Sequence, residues 1–411
     1  MDHLNTFFVG IDTHKNQHTA VVISCFHETI KTFVVPNNPQ EFPSFLEEIQ
    51  ALDPFKKLVF GLEDTQGLGR SLAQWLLSQG YEVKEVNPSL TRRERNRSTS
   101  PDKTDYIDAR AIANILLQEW KALPSIQEDA TFKAIRQLLN RRNTLVKQRT
   151  QLKNSLHHLL HQQYPNYEKF FNDPFGKTAL AFWEKFPHPS LLKNYGEKRL
   201  TRFLKKIRPS VPGDKAAKIL SLIDKGADTN ISSKAVITLI PMEVKHLRLL
   251  DTQIEEINEK LEETVEQSSY NNLITIPGAG FVLVATIISF VRNHKRFPNA
   301  DKLARYAGLV PAESSSGKTR GQSAKKYGCR GLNKALFLLA FQQIGKTKDG
   351  IIKNPAAYHY YKKKLSEGKT RKAALRCLQR RLIDIIYAMM RDKTAYYPPK
   401  IPSHDYFQKT S

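Results

Sequence analysis

The chain has 411 residues, 40% hydrophobic and 25% charged, which is typical of a soluble globular protein of two or three domains. No apolar run is long enough to span a bilayer, no segment reads as a signal peptide, and the three cysteines lack disulfide-framework or zinc-site spacing, so we expect a cytoplasmic protein. The formal net charge of +24 indicates a polyanionic partner, most simply nucleic acid.

The positive charge is concentrated towards the C-terminus. Residues 1–110 contain 12 Lys and Arg against 15 Asp and Glu, a net charge of −3. Residues 318–381 contain 18 Lys and Arg against 2 Asp and Glu, a net charge of +16. This asymmetry predicts chemistry in the N-terminal part and polyanion binding centred in the C-terminal part; a solvated surface without a ligand is the alternative.

The N-terminal part is predicted to form an α/β domain from its hydrophobic periodicity. The predicted strands are Phe7–Asp12, Thr19–Phe26, Thr29–Val35, Lys57–Glu63 and Tyr81–Val86. The predicted helices are Pro39–Leu52, Leu68–Gln79 and Thr104–Leu117, and a loop rich in Arg and Ser is predicted over Thr91–Asp102. The order βββαβαβα is that of the ribonuclease H-like fold.

Four acidic residues should meet in such a fold. Asp12 and Glu63 end the first and fourth strands, which would lie side by side, and Asp105 and Asp108 share one helix face. Four carboxylates without basic partners would repel one another unless divalent cations bound among them, and Mg²⁺ suits all-oxygen ligands. Two such ions roughly 4 Å apart can promote in-line displacement at phosphorus. A turn or cap role is the alternative for each acid taken singly.

The middle of the chain is predicted to contain two long helices with coiled-coil seams, which could pair within one chain or between protomers. Leucines recur every seven residues from Leu138 to Leu159, and apolar residues recur at three and four from Leu247 to Leu261. The first helix carries a basic stripe able to follow a phosphate backbone, although a merely solvated face is the alternative. The stripe includes Arg136, Arg141 and Arg142.

The C-terminal part is predicted to be mainly helical and to contact DNA. Gly278 and Gly280 precede a predicted helix over Phe281–Val291, where exposed backbone N–H groups can approach a phosphate; an ordinary helix–turn–helix corner is the alternative. Ser316 lies in a predicted loop of small residues, with cations nearby that could hold a scissile phosphate. These cations are Lys318, Arg320, Lys325 and Lys326.

Several motifs resemble those of the DEDD-type insertion-sequence transposases. They are VGIDTHK, GLED and DKTDYIDARAIA near the N-terminus, and LITIPGAGFVLVATIISFV with the segment from RFPNADKLARYAGLVP to GLNKAL downstream. The resemblance spans most of residues 7–120 and 270–395. It implies a RuvC-like domain with Asp12, Glu63, Asp105 and Asp108 as ligands of Mg²⁺, two ions per site, and Ser316 as the nucleophile.

The resemblance also implies partners, and together with the residue patterns it predicts an organisation of the chain. The partners are a structured non-coding bridge RNA, donor and target DNA, and further copies of the chain, with no membrane. The expected organisation is a RuvC-like catalytic domain over 1–125, coiled-coil helices over 126–163 and 236–268, an inserted helical unit over 164–235, a C-terminal transposase domain over 269–397 and a tail over 398–411.

Three functions therefore compete at this point. The first is an RNA-guided DNA recombinase that uses serine. The second is a metal-dependent junction nuclease or DNA invertase, working with water as the nucleophile or without a guide RNA. The third is a non-catalytic RNA-binding protein, against which the clustered acids argue, because carboxylates do not help to bind a polyanion.

Overall fold

A computed structural model describes residues 3–63, 67–97, 104–126, 130–193, 195–224, 234–310, 312–316, 319–323 and 328–398. The chain divides into two compact units, Met1–Ala130 and Thr131–Ser411. Within the described ranges, no helix is both long and apolar enough to cross a membrane.

The N-terminal unit confirms the predicted order of strands and helices. Its strands are β1 (Thr6–Thr13), β2 (Gln17–Ile23), β3 (Thr29–Pro36), β4 (Lys57–Glu63) and β5 (Glu82–Glu85). Its helices are α1 (Phe42–Gln50), α2 (Arg70–Ser78), α3 (Pro88–Arg95) and α4 (Asp105–Glu119). The predicted loop over Thr91–Asp102 was wrong at its start, because Asn87 caps α3 by accepting from the Ser89 backbone N–H, and Pro88 suits a first helical turn.

Within the described residues, the five strands form one mixed sheet in the order β3-β2-β1-β4-β5. Strands β1 and β2, and β2 and β3, are antiparallel, whereas β4 is parallel to both β1 and β5. Both faces of the sheet are covered. Val9 and Ile11 pack in one core with residues of α1 and α2, while Phe8 packs on the other face with residues of α4. The central strand β1 is therefore buried on both faces of the sheet. Asp12 lies at the C-terminal end of this strand.

A glycine sets the distance between β1 and α4. A Cβ atom at Gly10 would lie 2.2 Å from the carbonyl oxygen of Ala109 and 2.3 Å from the backbone nitrogen of Ala113. Only a residue without a side chain permits this approach. It brings the first turn of α4 close to the end of β1.

The second unit begins with long helices around an inserted helical region. These helices are α5 (Ala130–Gln163), α6 (Lys177–Lys185), α7 (Ser190–Lys193), α8 (Glu197–Ile207), α9 (Lys215–Asp224) and α10 (Lys234–Glu266), with a 3-10 turn over Tyr167–Lys169. The aromatic residues Tyr164, Tyr167, Phe170 and Trp183 are buried in the core of the inserted region. These aromatic residues thus contribute to the packing of that core.

Helices α5 and α10 pair antiparallel within one chain. Arg142 donates to Asn258 at 2.7 Å, Arg149 to Asp251 at 3.1 Å and Ser155 to Glu243 at 2.9 Å, so contacts that ascend along α5 descend along α10. Leu145, Leu250 and Ile254 are buried between the helices. Each end of α5 packs into a different core, with Leu139 in one and Leu156 in the other, so a continuous coiled coil stays a prediction.

The rest of the second unit is mainly helical, with a hairpin. Its elements are α11 (Phe281–Val291), α12 (Ala300–Tyr306), β6 (Ala312–Ser316), β7 (Thr319–Ser323), α13 (Arg330–Ile344), α14 (Pro355–Ser366) and α15 (Arg371–Asp392), with 3-10 turns over Asn271–Thr275 and His294–Arg296. The predicted loop around Ser316 was wrong: β6 and β7 pair antiparallel, and Ser316 lies opposite Thr319. Backbone pairing stabilises this segment although its small polar residues have little strand propensity.

Candidate active site

Asp12 and Glu63 lie side by side, as predicted. They are paired in the parallel register of β1 and β4. The hydroxyl of Thr13 donates to the carbonyl oxygen of Glu63 at 2.9 Å, which ties the two strand ends together. The sheet therefore fixes the relative position of these two residues through its backbone.

Asp105 and Asp108 lie in the first turn of α4. The hydroxyl of Thr104 caps this helix by accepting from the backbone N–H of Ile107. Because α4 begins directly after the Thr104 cap, both acids lie at the positive end of the helix dipole, where negative charge is favoured. The local sequence therefore builds a helix start that presents carboxylates.

One acid has a basic partner that the sequence interpretation lacked. Nη1 of Arg95, in the last turn of α3, lies 2.7 Å from Oδ1 of Asp108, and both side chains are largely buried. The expectation of four acids without a basic partner was therefore wrong for Asp108. The helix α3 was not predicted, and without it nothing in the sequence brings this arginine close to Asp108.

A histidine joins two of the acids. Nε2 of His14 lies 3.1 Å from Oδ2 of Asp12 and 3.2 Å from Oδ1 of Asp105. Sequence reasoning missed His14, although one signal was present: it stands two residues after Asp12, so a continued strand would place both on the same side.

The environment of Asp12 disfavours its charged form. Its side chain is 15% exposed. Burial is the largest cause of a raised pKa for this carboxyl, and the negative charges of Asp108 and Asp105 raise the pKa further, while His14 opposes the shift. These effects mean that Asp12, Asp105 and Asp108 share one electrostatic environment.

The donor atoms fit a divalent cation. Among the described residues, Asp12, His14 and Asp105 each offer one ligand atom, and the three atoms lie within 4.8 Å of one another. Oxygen and imidazole nitrogen donors at this spacing suit a small divalent cation. Glu63 is paired with Asp12 in the strand register, and the charge of Asp108 acts on Asp12, but neither carboxylate belongs to this group of three.

The hairpin that contains Ser316 has a tightly closed base. The backbone N–H of Cys329 donates to the carbonyl oxygen of Tyr306 at 2.7 Å. Gly328 has a φ of +111°, and a Cβ atom there would lie 2.5 Å from the backbone nitrogen of Gly308. The ends of the segment 309–327 are thus held together by backbone contacts that require glycine.

The remaining predicted residues are spread over the second unit. Arg320 lies in β7 opposite Ser315, while Lys318, Lys325 and Lys326 lie outside the described residues. Gly280 is the exposed N-cap of α11, and Gly278 has a φ of +80°.

The basic residues predicted on α5 differ in their surroundings. Arg141 is exposed, whereas Arg136 and Arg142 are half-buried. Arg142 is engaged within the chain through its contact with Asn258. Burial, and then the charge of Arg149, lower the pKa of Arg142.

Comparisons with known proteins agree with this architecture. A family model described as a transposase, of the DEDD type named for IS110, matches residues 9–165, and a second, described as the transposase IS116/IS110/IS902 family, matches residues 270–361. The two matched segments include the acidic cluster and the serine hairpin, respectively. They place the chain in the class of DNA transposases.

Full-length relatives extend the match. The chain is 27% identical to the uncharacterized 44.8 kDa protein of insertion element IS116 from Streptomyces clavuligerus, over 95% of this chain and 96% of the relative. It is 24% identical to the 43.6 kDa protein of insertion element IS110 from Streptomyces coelicolor, over 96% of each chain. It is 23% identical to the pilin gene-inverting protein of Moraxella lacunata, over 95% of this chain and 97% of the relative. The chain belongs to the IS116/IS110/IS902 family of transposases.

Proposed function

We propose that this transposase is an RNA-guided DNA recombinase of a bacterial insertion sequence, with a ribonuclease H-like N-terminal domain. The observation that carries the proposal is the meeting of acids from separate elements: Asp12 beside Glu63 in the sheet register, and Asp12 and Asp105 joined by His14. A protein that only bound nucleic acid would gain nothing from this concentration of negative charge, which repels phosphates.

The acids would hold the metal. Asp12, Glu63, Asp105 and Asp108 are the proposed ligands of Mg²⁺, with two ions per site. When bound, such ions neutralise charge on a scissile phosphate and on the leaving oxygen. The protein's own contribution is rigidity, because β1, β4 and the capped start of α4 fix the carboxylates before DNA arrives.

Ser316 would be the nucleophile. Its hydroxyl oxygen forms a bond to phosphorus while one phosphodiester P–O bond breaks. The serine loses a proton and the departing DNA oxygen gains one, so the step is an exchange of esters. The covalent phosphoserine conserves bond energy, and attack by another DNA hydroxyl reverses the exchange and rejoins the strand.

The partners would be two DNA segments and a guide RNA, held largely by charge. The net charge of +16 over residues 318–381 is suited to phosphate backbones. Gly278, Gly280, Lys318, Arg320, Lys325 and Lys326 are the proposed contacts in the C-terminal part, and Arg136, Arg141 and Arg142 those on α5. A homo-oligomer is proposed because recombination must hold two DNA segments at once.

The test is to combine the purified protein and its co-purifying RNA with donor and target DNA in Mg²⁺. We expect recombinant DNA, a covalent protein–DNA adduct, and one structured RNA species when the bound RNA is sequenced. Asp12→Asn, Glu63→Gln and Ser316→Ala should each lose recombination and adduct by at least about 100-fold while still binding RNA, because each removes a chemical group rather than a binding surface.

Ser314→Ala is the matched control and should keep both activities. An adduct that persists in Ser316→Ala would assign the nucleophile to a neighbouring serine. Recombination without any adduct would indicate water as the nucleophile and favour a junction nuclease. Near wild-type recombination by Asp12→Asn would remove the proposed metal site.

Site-specific DNA inversion is a second candidate, favoured by the match to the pilin gene-inverting protein. The chemistry would be the same, but the two sites would lie on one molecule in opposite orientation. A plasmid with inverted sites, assayed with and without the co-purifying RNA, distinguishes the two. Inversion that needs no RNA would replace the RNA-guided proposal.

A further inference from the structure

We propose that His14 is a direct ligand of the metal ion, which makes the site a mixed nitrogen and oxygen site that favours Mn²⁺ over Mg²⁺ more strongly than an all-carboxylate site would. This inference rests on the proposed function, because it concerns the same metal site. It goes beyond that function by assigning a ligand outside the four acids and by naming the class of ion that the site selects.

The distances fit shared coordination. Two ligands at right angles on an ion, each about 2.1 Å from it, lie about 3 Å apart. The Nε2 atom of His14 lies 3.1 Å from the Asp12 oxygen and 3.2 Å from the Asp105 oxygen. One imidazole nitrogen is therefore at coordination spacing from an acid on the sheet and from an acid on α4.

The turn that carries His14 is held in place from several sides. The backbone N–H of His14 donates to Nδ1 of the buried His18 at 3.2 Å. The side-chain amide of Asn37 lies 3.4, 3.1 and 3.2 Å from the carbonyl oxygens of His14, Lys15 and Leu68. A fixed turn positions the imidazole beside the acids before any ion binds, as a ligand requires.

The imidazole remains accessible. The side chain of His14 is 49% exposed, so packing does not account for its orientation. Its ring meets two carboxylates that belong to different elements, and its main-chain atoms, rather than its ring, make the contacts that hold the turn. The main chain of His14 thus holds the turn while its ring remains available to bind an ion.

A nitrogen ligand changes which ion the site holds best. Mg²⁺ prefers oxygen ligands and retains its water, whereas imidazole suits the transition metals, and carboxylates also suit Mn²⁺. A site of two or more carboxylates and one imidazole therefore favours Mn²⁺ over Mg²⁺ relative to an all-carboxylate site. The competing explanation is that His14 serves only as a counter-ion to Asp12 and Asp105.

The test measures Mn²⁺ bound to the full-length protein by electron paramagnetic resonance, with ¹⁴N electron spin-echo modulation as the readout. Wild-type protein should show modulation from a directly bound nitrogen. His14→Ala should lose the modulation, and its Mn²⁺ affinity should fall at least about tenfold, with a smaller fall for Mg²⁺. His27→Asn is the control, because it removes an exposed imidazole of the same unit and tolerates the φ of 62° at that position.

A second variant keeps the test decisive if His14→Ala folds poorly. His14→Asp supplies an oxygen ligand, and we expect the ratio of Mg²⁺ to Mn²⁺ affinity to rise about tenfold relative to wild type. Bound Mn²⁺ without nitrogen modulation in wild type would overturn the role of His14 and leave the proposed function intact. Failure of wild type to bind either ion better than Asp12→Asn would overturn both.

Discussion

The carboxylate of Asp12 is held in an environment that disfavours its negative charge, and a bound cation would relieve this cost. It is mostly buried, and negative charges on α4 act on it together with the loss of solvent. Such an electrostatic cost is common at sites that bind a charged ligand, and it lowers the stability of the ligand-free protein.

The raised pKa of Asp12 predicts a pH-dependent gain in stability on substitution. Because the folded-state pKa lies above the ordinary value of 3.8, the folded protein binds more protons than the unfolded chain between the two values, so ionised Asp12 destabilises the fold as pH rises through this window. Metal-free Asp12→Asn should therefore unfold a few degrees higher than wild type at about pH 8, and the difference should shrink towards about pH 4, as measured by thermal denaturation.

Glu48→Gln is a suitable control for that experiment, since Glu48 is an exposed carboxylate paired with Lys31. A difference between Asp12→Asn and wild type that stays constant or grows as the pH falls would contradict the account. Addition of a divalent cation should reverse the order, because wild type alone retains the complete set of ligands.

At the residue scale, the sequence predicted the positions of site residues at strand ends and on helix faces. It did not predict the positions of site residues that depend on turns or short helices. The register pairing of Asp12 with Glu63 and the shared helix turn of Asp105 and Asp108 follow from hydrophobic patterning. The positions of His14 and Arg95 do not, because one depends on a turn held by Asn37 and the other on the short helix α3.

At the element scale, the base of the β6–β7 hairpin is the feature that sequence patterning did not predict. Its residues are small and polar and do not alternate with apolar ones, so neither strand nor helix is indicated. The structure shows that β6 pairs with β7 and that Gly308 and Gly328, on either side of this hairpin, lie close together.

The closed base predicts a large effect of Gly328→Ala. Both Gly328 and Gly350 have positive φ, at +111° and +79°, so alanine at either position introduces backbone strain of about 1–2 kcal/mol. A Cβ at Gly328 would also collide with Gly308 and with the Tyr306 carbonyl oxygen at 2.5 to 2.8 Å, whereas Gly350 has open space. Gly328→Ala should lower both the unfolding temperature and the yield of covalent adduct more than Gly350→Ala does.

Both substitutions introduce backbone strain, but only Gly328→Ala should also displace the hairpin. Comparing Gly328→Ala with Gly350→Ala therefore separates the two effects. Equal effects of the two substitutions on the adduct would mean that the base does not position Ser316. A loss of adduct in Gly328→Ala with unchanged RNA binding would support a positioning role for this glycine.

At the scale of the whole molecule, positive charge is concentrated in the C-terminal part of the chain. The N-terminal stretch of 110 residues has a net charge of −3, and the segment 318–381 has +16. Net charge and its position can be counted in the sequence, and they predict phosphate binding centred in the C-terminal part. The sequence could not predict that α5 pairs with α10 of the same chain, because heptad spacing is the same for partners within one chain and in different chains.

On the proposed function, this distribution predicts that binding of the guide RNA is steeply salt-dependent. Each neutralised phosphate contributes a slope of roughly −0.7 to −0.9 to log K against log salt concentration. Replacing exposed Arg141 by Ala should make the slope shallower by up to about 1, whereas Arg142→Ala should change it less, because Arg142 is partly engaged with Asn258. Filter-binding titrations over a range of salt concentrations measure both slopes, and a nearly flat response would contradict electrostatic binding.

The division of the chain at residue 130 has a consequence for synthesis. The proposed metal ligands, the four acids and His14, all lie within the first 108 residues, in a unit with its own hydrophobic core that can fold as it leaves the ribosome. Ser316 is added 208 residues after Asp108, which takes about 10–40 s at elongation rates of about 5–20 residues per second. On the proposed mechanism, a nascent or prematurely terminated chain carries an ordered acidic cluster but no nucleophile. On the same proposal, such a chain could not form the covalent link to DNA, because the serine has not yet been added.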